Sequence, residues 1–244
     1  MDMEQASCPD VCITVDMEPD CPPYLWTWRG VIEGAPRLLD LFAQHGIAAT
    51  YFTTGETAQN FPACIQALTA AGHELGCHGM THSSFGKLSP KSAAWEIAES
   101  ARTLRRYATV TSFRAPYLQF PNAFLQFLER AGFMTDSSQA KYKPRSMRPA
   151  ATELRRLPVS VTSSVLRLPS WIRDRWLLAL ASPVVLFVHP WEFVDFRDTG
   201  LRLDCRFRTG EPALRDLDAV IKLFKKQGAR FWRIDVLAER MGIA

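Results

Sequence analysis

The sequence has no apolar stretch of the roughly 20 residues that a membrane-spanning helix requires. Its most apolar run, residues 176–188, is interrupted by Ser182 and Pro183. The opening segment "MDMEQASCPDVC" lacks a basic start followed by an apolar core, so no signal peptide is expected. The six cysteines show no CxxC spacing, and a chain of 244 residues needs no disulfides to fold. We therefore expect reduced thiols, no transmembrane segment and a cytoplasmic location.

The chain also lacks a strong net charge and any Gly/Ser-rich linker. The net charge is +4, and charged residues make up 22% of the sequence, which is near the globular average. The apolar fraction of 47% is enough to supply a core. We therefore expect one domain over residues 1–244 and no nucleic-acid partner, whereas formation of a homo-oligomer is left open.

Positive charge is concentrated between Lys141 and Trp176. This stretch holds two acids, Glu153 and Asp174, against nine basic residues: Lys141, Lys143, Arg145, Arg148, Arg155, Arg156, Arg167, Arg173 and Arg175. It could be a solvated surface or a patch that meets an anionic ligand. The segment "RRLPVSVTSSVLRLPSWIRDRW" is long and basic, so we expect it to cover a binding site. Arg155 and Arg156 could then contact a phosphate or carboxylate on the ligand.

A helix-like segment followed at once by a strand-like run occurs four times. The helix-like segments are "PRLLDLFAQHG", "PACIQALTAAG", "PNAFLQFLERAG" and "ALRDLDAVIKLFKKQG". Each ends in a glycine that can adopt the left-handed conformation closing a helix. With "VCITVD", "VTSFRAP" and "VVLFVH", about seven short apolar strands alternate with helices. This pattern predicts a parallel α/β architecture with both faces of the sheet covered.

Five polar residues stand at or just after the ends of different predicted strands: Asp16, His78, Arg114, Asp136 and His189. In a barrel of parallel strands, the active site is built at that end. We therefore expect these side chains to converge.

The stretch "HELGCHGMTH" places His78 and His82 four residues apart, as a divalent metal site often requires. The spacing alone is also compatible with surface histidines. The stretch "TVDMEPD" offers Asp16, Glu18 and Asp20 as carboxylates. Because side chains alternate along a strand, Asp16 and Glu18 share a face, so one could bind metal while the other handles a proton. His189 could be a buried structural residue or a general acid.

Five segments in order, "TVDMEPD", "GHELGCHGMTH", "SFRAPY", "FMTDSS" and "VVLFVHPWE", resemble the motifs of the polysaccharide deacetylase family. This family is also called the NodB-homology domain or carbohydrate esterase family four. The likeness covers residues 11–193, and "GARFWRI" resembles the last strand of the family. It implies a deformed (β/α)7 barrel and metal-assisted hydrolysis of an N-acetyl or N-formyl group on an amino sugar. Zn²⁺ is the first expectation for the metal, with Co²⁺, Ni²⁺ and Mn²⁺ as alternatives.

The resemblance also implies a role for each motif residue. Asp16 would be the base, and Arg114 would hold it by a charge-assisted hydrogen bond. The backbone N–H of Tyr117 would stabilise the oxyanion. His189 would protonate the leaving amine, and Asp136 would orient a catalytic partner, His189 or Arg114.

The first motif departs from the common family pattern of two adjacent aspartates. Met17 occupies the second position, where the family places a metal ligand, and a thioether suits this site poorly. Some branches of the family use Asp-x-Asp or Asp-x-Glu. We therefore assign the ligand role to Glu18, with His78 and His82, and regard Asp20 as a weaker substitute.

The surroundings of the site suggest how the substrate is held. Trp26 and Trp28 in "WTWRG" could stack on a sugar ring or simply pack in a lid. Trp191 and Glu192 could line the pocket. Two other functions stay open, because a fold does not fix a substrate. One is hydrolysis of a small linear or cyclic non-sugar amide, as in allantoinase-like proteins, and the other is a catalytically silent carbohydrate-binding barrel.

Overall fold

The computed structural model describes residues 8–25, 27–143 and 147–242. Within these ranges, eight parallel strands form one sheet. They are β1 (Asp10–Met17), β2 (Thr50–Thr53), β3 (Glu74–Cys77), β4 (Ser112–Phe113), β5 (Thr135–Asp136), β6 (Arg155–Arg156), β7 (Val184–Val188) and β8 (Arg230–Phe231). The order is β6-β5-β4-β3-β2-β1-β7, and β8 pairs with the start of β1.

The described helices pack around this sheet. They are α1 (Ala35–His45), α2 (Gly55–Asn60), α3 (Pro62–Ala70), α4 (Pro90–Leu104), α5 (Leu125–Arg130), α6 (Ser170–Leu178), α7 (Leu203–Arg206), α8 (Glu211–Lys226) and α9 (Ile234–Met241). The four predicted helices correspond to α1, α3, α5 and α8. The glycine that follows each of them has a positive φ, between 60° and 81°. None of the described helices combines the length and the apolar composition needed to cross a membrane.

The predicted barrel of seven alternating strands and helices is confirmed, with one additional strand. The strand path includes Arg155–Arg156, which lies in the long basic segment and was not predicted as a strand. Beyond β6, the backbone N–H of Ser160 donates to the carbonyl of Val185 (2.8 Å), and its hydroxyl accepts from the N–H of Val185 (3.0 Å). These two bonds join the end of the path to β7 and curl the sheet towards closure.

Side-chain alternation along β1 separates two apolar layers. Val11, Ile13, Val15 and Met17 belong to the large core between sheet and helices. Cys12 points the other way, into a smaller cluster with residues of β2, β7 and α9 that fills the barrel. The same alternation directs Thr14 and then Asp16 inward, and Asp16 reaches the open end of the barrel.

Glu74, the first residue of β3, lies at the opposite end of the barrel. Its carboxylate accepts hydrogen bonds from Thr50 Oγ1 (2.6 Å) and from the N–H of Asp235 (3.1 Å). Burial, followed by the charge of Asp235, raises the pKa of Glu74 from 4.5 to about 7. A carboxyl group with a raised folded-state pKa contributes stability that is complete at low pH and is lost as the pH rises through the folded pKa.

We therefore expect the melting temperature to decrease as the pH is raised from 5 to 8, which is about one unit above the raised pKa, in part because of Glu74. Glu74→Gln keeps an acceptor for Thr50 and removes the titration, so it should flatten this dependence. At pH 8, the free energy of unfolding of the variant should exceed that of the wild type by on the order of 3 kcal/mol or less, since one pKa unit corresponds to about 1.36 kcal/mol. Thermal denaturation across pH measures the effect, with the exposed Glu153→Gln as control. An unchanged slope in Glu74→Gln would contradict the assignment.

Candidate metal centre and active site

The carboxyl ends of the strands surround one cavity of about 650 Å³. Asp16 and Glu18 line it from the end of β1, while Met17 between them belongs to the outer core. The loop after β3 contributes His78 and His82, and the end of β7 contributes His189. The alternation expected along β1 therefore delivers two acids to the same cavity as three histidines.

Glu18, His78 and His82 form a buried cluster. Glu18 Oε2 lies 2.6 Å from His82 Nε2 and 3.2 Å from His78 Nε2. One ligand atom from each residue lies within 4.8 Å of the others, so the three could hold one metal ion. Burial opposes ionisation of Glu18, but His82, His189 and His78 hold the pKa of its carboxyl well below the usual value. A carboxylate and two imidazoles are a common ligand set for Zn²⁺.

Contacts behind the cluster fix the imidazole of His78 and the loop that carries His82. His78 Nδ1 lies 2.8 Å from the carbonyl oxygen of Arg114, which makes Nδ1 the donor and leaves Nε2 directed at Glu18. The loop that carries His82 is held by Glu96 of α4, whose Oε2 accepts from the N–H groups of Met80 (2.6 Å) and Thr81 (3.0 Å). His82 itself has φ 56°, an uncommon conformation for a residue other than glycine.

Arg114 holds the second acid of β1. Its Nη1 donates to Asp16 Oδ1 (2.7 Å) and to Thr14 Oγ1 (2.7 Å), and its Nη2 donates to Ser137 Oγ (2.9 Å). The guanidinium is fully buried and lies 4.2 Å from the ring centroid of Phe52. No hydrogen bond among the described residues engages Asp16 Oδ2. Arg114 therefore fixes one carboxylate oxygen and leaves the other to face the cavity.

His189 is held by a stacked ring on one face and by a carboxylate at one nitrogen. Its Nδ1 lies 2.7 Å from Glu192 Oε1, and its ring stacks on Trp191 at 5.0 Å and 19°. Its Nε2 lies 3.7 Å from Glu18 Oε1. Burial opposes the charged imidazole, but Glu18 and Glu192 outweigh it and raise the pKa of His189 to about 9. His189 can therefore carry a proton at Nε2 at neutral pH.

Tyr117 also lines the cavity, in a left-handed turn with φ 60°. Its ring contacts the edge of His82 at 4.8 Å, and its carbonyl accepts from Lys143 Nζ (3.0 Å). In the described part of the chain, no acceptor takes the backbone N–H of Tyr117. This N–H is therefore available to a ligand.

The predicted pairing of Asp136 with His189 or Arg114 is wrong. Asp136 is fully buried, and its Oδ2 accepts from Nε (2.9 Å) and Nη2 (2.8 Å) of Arg156. Its other oxygen accepts from the N–H of Ser138 (3.0 Å). The cause is β6, which places Arg156 directly beside β5 in register with Asp136. The carboxylate that bonds to the ring of His189 is that of Glu192, not that of Asp136.

Asp20, the weaker substitute for a metal ligand, does not join the cluster. Its Oδ2 accepts from Thr27 Oγ1 (2.6 Å) and the N–H of Arg29 (2.8 Å), and its Oδ1 accepts from the N–H of Gly30 (2.7 Å). Both oxygens are used to hold the loop between β1 and α1.

Of the predicted pocket residues that the structure describes, only Trp191 lines the cavity. Trp28 packs on Phe61, with ring centroids 5.3 Å apart, so it contributes to the outer core and not to a sugar platform. Trp26 lies outside the described residues. Glu192 was predicted to line the pocket, but it is buried behind His189, because its carboxylate accepts the ring and backbone N–H groups of that residue.

The basic segment covers the cavity only in part. Thr162, Ser163, Ser164 and Arg167 line one wall, whereas Arg155 and Arg156 do not reach the cavity. The prediction that these two arginines contact an anionic ligand is therefore wrong, and Arg145 lies outside the described residues. Tyr142 also lines the cavity and was missed by the sequence analysis. Burial raises its pKa to about 12, so its hydroxyl stays protonated and can donate.

A helical turn over Gly30–Gly34 packs against the turn Pro190–Phe193, which follows His189. A Cβ on Gly34 would overlap the carbonyl oxygen of Pro190. We expect Gly34→Ala to lower the free energy of unfolding by about 1–3 kcal/mol or more, because backbone atoms must move. Gly200→Ala is the control, since a Cβ there meets no atom within 4 Å. Equal stability of both variants in urea denaturation would contradict this packing.

Comparison with known protein sequences gives matches to part of the chain. A family model described as polysaccharide deacetylase matches residues 4–135. A peptidoglycan deacetylase of Helicobacter pylori is 30% identical over 107 residues, which are 43% of this chain and 36% of that protein. A chitooligosaccharide deacetylase of Sinorhizobium fredii is 34% identical over 85 residues, which are 34% of this chain and 40% of that protein. The chain thus spans less than half the length of these relatives.

Among solved structures, one from Mycobacterium smegmatis superposes with a TM-score of 0.72 at 19% identity. The match covers 98% of this chain and 92% of that chain. It shows a shared fold.

Proposed function

Because the chain belongs to the polysaccharide deacetylase family, whose model matches residues 4–135, we propose that it hydrolyses the N-acyl amide of an amino sugar or sugar conjugate. The acyl group would be acetyl or formyl, and the free amine would be released with divalent metal bound. One observation carries this proposal: the buried cluster of Glu18, His78 and His82 shares a cavity with Asp16 and His189.

The residues present fit a divalent cation. Three ligand atoms converge in a buried position, and the second nitrogen of His78 is already engaged by a backbone carbonyl. Such a carbonyl is a usual outer partner of a metal-binding histidine. When bound, the cation would act as a Lewis acid and lower the pKa of a neighbouring water molecule to about 7. Glu18, His78 and His82 would hold it, with Zn²⁺ preferred for this ligand set and Co²⁺, Ni²⁺ or Mn²⁺ as alternatives.

Asp16 is proposed as the general base. Its Oδ2 faces the cavity and would take a proton from the attacking water, while Arg114 keeps Oδ1 in place at 2.7 Å. The buried guanidinium of Arg114 is itself fixed by several hydrogen bonds. It therefore holds the carboxylate of Asp16 in one orientation. General bases positioned in this way contribute about 10²–10⁴-fold to rates.

Tyr117 and His189 would handle the carbonyl oxygen and the leaving nitrogen, respectively. The unengaged N–H of Tyr117 would donate to the oxygen as it gains negative charge. His189 Nε2 would give its proton to the nitrogen as the C–N bond breaks. The cavity of about 650 Å³ is in the range of small-ligand sites, which favours a short saccharide or sugar conjugate as the bound group. Among the described residues, the cations that line the cavity and could support an anionic substituent are Lys143, Arg202 and Arg167, and Asp204 lines it with them.

The proposal is tested with protein that has been loaded with Zn²⁺ or Co²⁺. The substrate panel would contain N-acetyl and N-formyl amino sugars, short N-acetylated oligosaccharides and small cyclic amides. We expect acetate or formate to appear together with the free amine, and chelation to stop the release. Ring opening of a cyclic amide without activity on any sugar would favour the small-amide alternative. Binding of sugars without any hydrolysis would overturn the enzyme assignment.

A further inference from the structure

Behind His189 lies a buried chain of charged groups: Glu192, the last residue of the segment "VVLFVHPWE", and Arg167, which none of the family motifs named above contains. Glu192 Oε1 accepts both the ring Nδ1–H (2.7 Å) and the backbone N–H (3.0 Å) of His189. Its other oxygen, Oε2, lies 3.0 Å from Arg167 Nε. Glu192 and Arg167 are both at least 97% buried. A carboxylate in such a place is stable only if a charge or several donors compensate its burial.

Arg167 connects this pair to a separate part of the chain. Its Nη1 donates to the carbonyl of Phe207 (2.6 Å), and its Nη2 donates to the carbonyl of Asp204 (2.9 Å). Asp204 lines the cavity, and so does Arg167 itself. The guanidinium thus joins the wall formed around α7 to the carboxylate behind His189.

The electrostatics of Glu192 agree with this arrangement. Burial alone would raise the pKa of Glu192, but the charge of Arg167, followed by the hydrogen bonds from His189, holds it below the usual value. Without the guanidinium, the buried carboxyl would tend to take up a proton or turn away. Either change weakens the contact that orients the imidazole.

We propose that Arg167 is a positioning residue for His189: it keeps Glu192 in place, so that Nε2 of the imidazole faces the leaving nitrogen of the substrate. The proposal rests on the proposed function, in which His189 protonates that nitrogen. It assigns a role to the basic segment that differs from binding an anion. It also makes the geometry of the acid depend on the 204–207 wall of the cavity.

A purely structural role and a positioning role differ in how they affect the leaving group. An amide nitrogen must be protonated as it leaves, whereas the phenolate of an aryl acetate can leave unprotonated. We expect Arg167→Met to lower kcat for an N-acetyl amino sugar by about 10–100-fold, with KM changed by less than about twofold. The rate on an aryl acetate should change by less than about threefold.

Glu192→Gln should give the same pattern, and the double variant should lose no more than the single variants, because both residues act through one contact. Arg173→Met is the matched control. Arg173 is a second buried arginine of the same basic segment, which pairs with Asp174 and Asp216 and does not line the cavity. It should lose stability without changing the ratio of amide to ester rates. An equal loss on both substrates in Arg167→Met would overturn the inference.

An activity-independent measurement separates this inference from the proposed function. In the wild type, the proton on His189 Nδ1 should give a strongly downfield NMR resonance, because it is bonded to a buried carboxylate. We expect the resonance to shift or disappear in Arg167→Met and Glu192→Gln, and to persist in Arg173→Met. Its persistence in Arg167→Met would overturn the inference, even if no substrate were hydrolysed. Inactivity of the wild type on the whole panel would overturn the proposed function alone.

Discussion

Replacing Glu18 by Gln is expected to lower the affinity for Zn²⁺ by more than about 100-fold, because loss of an outer partner alone typically costs 10–100-fold. The variant removes the negative charge that lies 2.6 Å and 3.2 Å from the two histidine nitrogens, and it keeps the shape of the side chain. Deacetylation should fall with the metal content. Titration calorimetry with Zn²⁺ and metal analysis of the purified protein measure the effect.

Asp20→Asn provides a matched control for this variant. Asp20 is as buried as Glu18 and lies two residues further along the same loop, but its described partners are Thr27, Arg29 and Gly30. We expect this variant to lose stability and to retain the metal. If Asp20→Asn lost the metal while Glu18→Gln kept it, the ligand assignment would be reversed.

Replacing Asp16 by Asn is expected to lower kcat by about 10²–10⁴-fold with the metal retained. The amide can still accept a hydrogen bond from Arg114 at 2.7 Å, so the arrangement around the guanidinium should persist. It cannot take a proton from water at neutral pH, so the proposed base is removed. Steady-state kinetics on an N-acetylated oligosaccharide, with metal content measured on the same samples, test this expectation.

Asp136→Asn is the comparison for Asp16→Asn. Asp136 is equally buried at the end of another strand, but its partner is Arg156, and it does not line the cavity. We expect it to weaken the β5–β6 contact and to leave kcat within about threefold. Loss of bound metal in Asp16→Asn would mean that Asp16 binds the cation, and that Glu18 is the better candidate for the base.

The parts of the site that sequence could predict depend on local regularities. The two-residue period of β1 separates Asp16 and Glu18 from Met17, and the four-residue spacing of His78 and His82 brings their nitrogens to Glu18. Four of the described helices were predictable because each is followed by a glycine, and the structure gives each of these glycines a positive φ. These signals lie within a few residues of one another, so a single sequence contains them.

The missed parts depend on contacts between distant or very short elements. Arg156 neutralises Asp136 because β6 exists, yet a strand of two residues leaves no periodic pattern. Arg167 reaches Glu192 across 25 positions of the chain, and nothing in the sequence near either residue indicates the partner. The Glu192–His189 contact could have been predicted from the sequence, because a carboxylate three residues after a histidine that starts a turn can accept a hydrogen bond from that histidine.

The outward orientation of Met17 has a consequence for attempts to restore the common adjacent aspartate pair. Met17→Asp would not deliver a second acid to the cation, because position 17 faces the helices and is fully enclosed by apolar neighbours. The new carboxyl group would be buried among apolar side chains with no counter-charge. We expect this carboxyl group to remain protonated or the variant to aggregate. Converting one version of this site into the other would therefore require a change in strand register, which a single substitution does not provide.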